Sequence, residues 1–244
     1  MTKKYTSRRI FAVLIVLISV AVYLVLSPNS YETEYVPSAE SEKTLPLGES
    51  ESSSLLATTV LEKLEIKGRA PKTGYSRDKF YSTWPTIDGC NLRQRIIKRE
   101  FGNSATLATD NCTVISGEYD EPYTGSHLIF TEKSDISNGI QIDHVVALSD
   151  AWQKGAQNLS SEERKSLATD PLNLLAVDAS TNQKKSDGDA ATWLPPNKKF
   201  RCEYVARQVS VKYKYHLWVA SAEYDAIKNV LKNCPNQPAV GVSL

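Results

Sequence analysis

The sequence predicts an α+β domain, and three observations predict it. Extended runs cluster in the middle of the chain, at 112–119 ("CTVISGEY"), 126–132 ("SHLIFTE") and 140–146 ("IQIDHVV"). Stretches with helical spacing stand on both sides of them, at 91–101, 147–158, 200–215 and 221–234. A chain of 244 residues, 41% hydrophobic and 23% charged, is long enough for one sizeable core with appended segments.

Residues 10–26, "IFAVLIVLISVAVYLVL", are apolar or small and carry no charge. As a helix they would span roughly 25 Å, the short limit for a bilayer. Lys3, Lys4, Arg8 and Arg9 precede them, which favours a cytoplasmic N-terminus and sends the remainder outside. The run is long for a signal core, and no clean A-x-A site follows. Residues 1–26 are therefore expected to be a membrane anchor, with a cleaved signal peptide as the alternative. Residues 27–66 hold eight Glu against two Lys and are rich in Ser and Pro. Such a composition buries too little to offset chain entropy, so a disordered acidic linker is expected. Its last part, "LLATTVLEKLEIKG", has the makings of a short helix leading into the domain. The folded domain is expected over 67–236, with 237–244 as a tail.

Within the domain, Leu92, Ile96 and Ile97 share one side of a helix over Asn91–Phe101. The next two runs flank "DEPYTG", whose Pro and Gly mark a turn between strands. "IQIDHVV" is a third extended run, and "ALSDAWQKGAQN" reads as a helix. Ser160 opens another, with Glu163 three residues later as in a capping box. "PLNLLAV" is a short extended segment, and "DASTNQKKSD" is one or two helical turns. Two longer helices close the domain, Phe200–Tyr215 and Ser221–Cys234. Helices joined by a link as short as "HLWVA" tend to run antiparallel, which brings Cys202 and Cys234 to the same end of the pair. Export places cysteines where disulfides persist, so Cys202–Cys234 is expected, leaving Cys90 to pair with Cys112.

The residues that carry chemistry begin inside the third extended run. Charges are costly to bury unless paired or metal-bound, yet Asp143 and His144 stand side by side among aliphatic residues. Downstream follow Asn173 in "DPLNLLAV", then Asn182, Lys184 and Lys185 in "STNQKKSD". Each type has work to do at a phosphodiester. Carboxylate and carboxamide oxygens suit a hydrated divalent cation. An imidazole takes a proton from water near neutral pH, an Asn fixes its tautomer, and lysines hold a polyanion. Neighbours on a regular strand point to opposite faces, so Asp143 and His144 can serve one site only where the strand ends or bends.

The ordered set Asp-His, "NLLAV" and "NxxK", followed by Trp193-Leu194-Pro195, resembles the HNH nucleases with their ββα-metal finger. The wording of "QIDHVVALSDAWQKGAQ", "DPLNLLAVDASTNQKKSDGDAATWLPP" and "YVARQVSVKYKY" is most similar to secreted bacterial HNH-family endonucleases, over roughly residues 70–234. The resemblance implies a ββα-metal core decorated with helices. In it His144 is the general base and Asn173 orients it, Asp143 and Asn182 hold the metal, and Lys185, with Lys184 and Arg93, meets substrate phosphate. An oxygen ligand set implies Mg²⁺, with Mn²⁺ as the alternative. The absence of CxxC pairs implies no structural zinc. The implied substrate is nucleic acid, DNA first, read with little sequence preference, since no base-reading module is evident. No protein partner is implied.

Other candidates have plainer readings. Asp187 and Asp189 are expected in a polar turn around Gly188, His127 and His216 outside the chemistry, and Trp152, Trp193 and Trp218 in packing. A net charge of +1 for the whole chain leaves +3 for residues 67–244, poor evidence on its own for an anionic partner. Two further function classes fit the sequence. One is a surface-anchored nucleic-acid-binding protein with an inactive nuclease fold. The other is a metal-dependent phosphodiesterase acting on another substrate.

Overall fold

The structure, a computed structural model, describes residues 54–243. The expected anchor at 1–26 lies outside them; among the described residues no helix is long and apolar enough to cross a membrane. The strands are β1 (Ser54–Leu56), β2 (Thr86–Ile87), β3 (Cys90–Asn91), β4 (Thr106–Leu107), β5 (Val114–Asp120), β6 (His127–Phe130), β7 (Ile140–His144), β8 (Leu174–Asp178) and β9 (Pro238–Ser243). The helices are α1 (Ala57–Glu62), α2 (Leu92–Phe101), α3 (Lys133–Gly139), α4 (Leu148–Gln153), α5 (Ser161–Thr169), α6 (Ala179–Lys185), α7 (Arg201–Lys214) and α8 (Ser221–Leu231). The α+β expectation therefore holds.

The centre of the molecule is the antiparallel pair β7–β8, in which Asp143 lies opposite Leu175 and His144 opposite Leu174. Ile140, Ile142, Leu174 and Ala176 pack into one apolar core with Leu92, Ile96 and Ile97 of α2. Val145, Leu175 and Val177 pack into a second core with Val205 and Val209 of α7 and Ile227 of α8. Cover on both faces explains why this stretch reads as a nearly unbroken apolar run rather than as alternation. A third core gathers Phe80, Val146, Leu148, Trp152 and Leu167 beneath α4 and α5. The β4-β5-β6 sheet stands beside the first core.

Local chemistry sets the element ends. The Asn91 side chain accepts from the Arg93 amide at 2.9 Å and starts α2. The capping box forms, with Ser160 and Glu163 bonded reciprocally. The helix expected over 147–158 is shorter: Gly155 takes φ 123°, where a β-carbon would press on Trp218, and α4 stops before it. α3 was not anticipated, because Ile136 is its one buried apolar residue and gives no periodicity.

Both expected ends of the domain are corrected. Ser54–Ile66 is not linker: β1 pairs with β9, and Ala57, Val60, Leu61 and Leu64 are buried against α7 and α8. Residues 238–243 are not a tail, since they supply β9. The acidic, Ser-rich composition that suggested a linker stops short of these apolar residues, which need a core to cover them. The disulfides Cys90–Cys112 and Cys202–Cys234 form as expected, with Cα separations of 5.4 and 6.4 Å.

Candidate active site

β7 ends at His144, and the chain bends at Val145 and Val146. Asp143 and His144 keep to opposite faces of the strand, as the pleat requires. They nevertheless border one open cleft of about 450 Å³, because the cleft wraps the strand's end. Asn182 and Gln183 of α6 form its next wall, followed by Ser186 and Asp187. Lys72, Tyr75 and Arg77 close the third side from a segment that precedes α2.

Asp143 and His144 are each only 5% exposed. Asp143 Oδ1 accepts from Lys185 Nζ at 2.9 Å, and Oδ2 accepts from the Tyr123 hydroxyl. Burial pushes the Asp143 carboxyl above its usual range, and Lys185 and Tyr123 pull it back only in part. Lys185 Nζ also donates to the His144 carbonyl at 2.8 Å. The lysine expected to meet phosphate is thus turned inward and spent on the strand end. Its place three residues after Asn182 sets it on the inner side of α6, buried.

His144 Nε2 lies 2.9 Å from the Ala168 carbonyl oxygen. A carbonyl only accepts, so Nε2 carries the proton and Nδ1 keeps the lone pair. Burial drives the imidazole pKa down to about 3, with Arg77 and Lys185 adding to the effect, so the ring is neutral. Trp84 stacks on it at 5.9 Å between centroids and 8° between planes, and Tyr81 lies 6.0 Å away.

Asn173 does not bond the imidazole; the acceptor expected of it is the Ala168 carbonyl instead. Its Oδ1 accepts from the Val146 amide at 2.8 Å, and its Nδ2 donates to the Leu167 carbonyl at 3.2 Å. Its own carbonyl accepts from the Val145 amide at 2.8 Å. It therefore clamps the bend that follows His144 to the end of α5, next to the carbonyl that holds the ring. Asn182 borders the cleft and donates Nδ2 to Gln141 Oε1 at 2.9 Å. Its carboxamide oxygen is left for another partner.

Two of the expected phosphate contacts stand elsewhere. Arg93 donates to the Ile140 carbonyl at 2.9 Å and does not border the cleft. Lys184 is exposed on α6, also off the cleft. Of the two aspartates expected in a turn, Asp187 borders the cleft and accepts from Ser149 and Lys72, each at 3.1 Å. Asp189 is buried in an ion cluster behind it. His127 sits exposed between Asp120 and Glu118, away from the cleft. Tyr123, Arg77 and Trp84 were missed. Tyr123 sits in a turn motif that gives no hint of burial, and the other two fall in a mixed aromatic and basic stretch without periodicity.

As to metal, the described residues hold no group of three or more His, Cys, Asp or Glu able to bind an ion. What the cleft offers is two carboxylates, Asp143 and Asp187, and three carboxamides, Gln141, Asn182 and Gln183. Asp143 has about four lone-pair sites, two of them taken by Lys185 and Tyr123. This all-oxygen set fits a hard cation that keeps most of its waters.

A family model described as the C-terminal domain of GmrSD restriction endonucleases matches residues 92–230. An "Uncharacterized secreted protein" of the fungus Arthroderma benhamiae is 38% identical over 181 residues, covering 73% of this chain and 84% of that protein. No solved structure matches.

Proposed function

The chain belongs to the family of the GmrSD restriction endonuclease C-terminal domain, and from that premise we propose a metal-dependent endonuclease of HNH type that acts outside the cytoplasm. Its substrate is nucleic acid, DNA first, cut with little sequence preference. The observation that carries this reading is the meeting of Asp143, His144 and Asn182 on one cleft. Asp143 and His144 end β7, its antiparallel partner β8 leads directly into α6, and α6 carries Asn182, an order that supports a ββα-metal core with α4 and α5 inserted between its strands.

His144 acts as general base through Nδ1, the ring atom left with a lone pair. The Ala168 carbonyl fixes the tautomer, and Trp84 fixes the ring plane. Asn173 positions the base through the backbone bend it clamps. Lys185 neutralises the buried Asp143 and holds the strand end in place. Asp143 and Asn182 would hold Mg²⁺, or Mn²⁺ in its stead; once bound, such an ion supplies charge neutralisation at the phosphate and the leaving oxygen. A location outside the cytoplasm is supported by the two disulfides and by the fungal relative's being named a secreted protein.

The test is incubation of the full-length protein with plasmid DNA and with RNA across a divalent-metal series, with and without EDTA. Cleavage that needs Mg²⁺ or Mn²⁺ is expected. Cleavage that EDTA leaves untouched removes the metal from the reading, and no cleavage in any metal removes the nuclease.

A further inference from the structure

The segment Arg69–Trp84 lies before the family-matched residues 92–230 and forms a strap along the cleft. It is fastened at several points. The Ala70 amide donates to the Gln153 carbonyl at 2.8 Å. Arg69 pairs with Asp189 at 2.6 Å and with Asp150 at 3.2 Å. Trp152 Nε1 donates to the Thr73 carbonyl at 3.3 Å, and Phe80 is buried under α4. A strap held this way presents its side chains from a fixed frame.

Of the two cations that border the cleft among the described residues, one is already committed and one is not. Lys72 is spent on Asp187; off the cleft, Lys185 is spent on Asp143, Arg93 on a strand carbonyl, and Arg69 on two carboxylates. Arg77 is exposed, borders the cleft together with His144, and has no carboxylate partner among the described residues. Its Nη2 donates to the Tyr81 hydroxyl at 2.6 Å, and its guanidinium carbon lies 5.3 Å from the centre of the Tyr81 ring. Tyr81 in turn lies 6.0 Å from the His144 ring. Tyr81 is thus a mount between guanidinium and imidazole. One of five N–H donors holds the mount, and the rest of the planar fork remains for a ligand. A guanidinium so placed is matched to an anion with paired oxygens, and a phosphodiester has two non-bridging ones.

From this geometry we infer that Arg77 is a substrate-binding residue of the cleft, gripping the non-bridging oxygens of the phosphodiester presented to His144. The inference rests on the nuclease reading and deepens it. It moves the phosphate contact from the α2 arginine, Arg93, to a residue outside the family-matched part of the chain. The role is shape-dependent as well as electrostatic, because a lysine supplies the charge without the fork.

Two measurements on the full-length protein test it. The first compares plasmid cleavage by wild type, Arg77→Ala, Arg77→Lys and, as a distant control on α8, Lys228→Ala. Arg77→Ala is expected to lose about 10²-fold in kcat/KM, the scale of removing one preorganised donor to developing charge. Arg77→Lys should recover only part of that, and Lys228→Ala should match wild type. The second measures binding of a fluorescent DNA duplex by anisotropy across a salt series, with Arg77→Ala placed in the non-cleaving His144→Ala background. Weaker binding is expected, with the salt slope reduced by about one. Circular dichroism of each variant separates a lost contact from a lost fold, and exposure of Arg77 makes retention of the fold the expected result. If wild type cleaves and Arg77→Ala keeps its kcat/KM, the inference is overturned while the nuclease reading stands. If wild type cleaves neither DNA nor RNA, the nuclease reading fails first. The anisotropy arm then still decides Arg77, with unchanged affinity and slope overturning it.

Discussion

Two buried clusters of charge lie close together in this molecule, and they behave in opposite ways. Behind the cleft, Lys154 contacts Asp150, Asp189 and Glu223 at 2.6–2.7 Å. Lys212 contacts Glu223 at 2.9 Å and Asp150 at 3.3 Å. Arg69 adds contacts to Asp150 and Asp189. Three carboxylates thus face three cations, and the charge closes on itself. Although burial works against it, contact with Lys154 and Arg69 and the nearby charge of Lys212 hold Asp189 down to about 2. Burial likewise disfavours the Lys212 ammonium, yet Glu223 and Asp150 raise its pKa above the usual lysine value. At the cleft the balance reverses: burial wins over Lys185 at Asp143 and drives His144 to neutrality. One cluster is complete, so it joins α4, α7 and α8 to the 187–193 loop as a structural part. The other is under-compensated and opens on solvent, which leaves it room for a ligand. Burial of charge alone does not distinguish the two; partner count and access to the cleft do.

The largest effect separates them by activity. His144→Ala is expected to lower plasmid cleavage by about 10²–10⁴-fold, the usual range for a general base, with the fold retained by circular dichroism and the urea midpoint lowered by loss of the buried ring. Cleavage at the wild-type rate would end the proposed role for His144. The next largest effect is on stability. Lys154→Met strips the central cation from three enclosed carboxylates and should cost about 3–5 kcal/mol. Lys185→Met should cost less, since Asp143 keeps its bond from Tyr123 and borders a cleft that admits water. Equal losses in chemical denaturation would erase the distinction drawn between the clusters.

A third experiment asks whether stability and chemistry can be separated. The Cys202–Cys234 bridge ties the start of α7 to the end of α8, which carries Glu223 of the closed cluster. Replacing both cysteines by serine should cost about 2–4 kcal/mol, with cleavage at low temperature unchanged because no group at the cleft is touched. Loss of activity in a variant that circular dichroism shows to be folded would mean that the closed cluster also tunes the site.

The difference between the clusters also marks what could be read from the sequence. Helix α2 was legible because Leu92, Ile96 and Ile97 keep helical spacing. α5 was legible because Ser160 and Glu163 form a capping box. Asp143 and His144 stand out in the sequence as charge within an apolar run, and the resemblance to HNH nucleases ties Asn182 to them; the structure places all three on one cleft. The Cys202–Cys234 bridge followed from helix pairing, and Cys90–Cys112 from the two cysteines left over. The closed cluster was not legible: Lys154 stands just past the end of α4 and Lys212 near the end of α7, places where a lysine ordinarily reaches solvent, and only tertiary packing buries them. The β1–β9 pair joins residues nearly 190 positions apart, Ser54 with Ser243, and no local pattern encodes such a partner. Lys185 was assigned outward by analogy with phosphate-binding lysines. Its inward turn depends on the buried Asp143 carboxylate needing a counter-charge.

The smallest effect is the share of acid stability that belongs to the depressed Asp189 carboxyl. Its ordinary value is 3.8 and its folded value about 2. A group whose pKa is lower folded than unfolded binds protons more readily in the unfolded state, so its contribution is fully present above about 3.8. That contribution drains away as the pH falls toward about 2. Asp143 adds a term of the opposite sign, because a carboxyl raised by burial stabilises the fold on protonation relative to neutral pH. Buried His144 adds a term of the same sign as Asp189, since its ordinary value is 6.5 and its folded value about 3. The urea midpoint is therefore expected to fall from about pH 6.5 downward, with Asp189 adding to the fall below about 3.8 and the Asp143 term blunting it. Asp189→Asn should start from a lower midpoint at pH 6, having lost its ion pairs with Lys154 and Arg69, and should then show a flatter profile between about pH 4 and pH 2. Parallel curves for wild type and variant would show that Asp189 is not the group that titrates, and would move the source of acid sensitivity to the cleft.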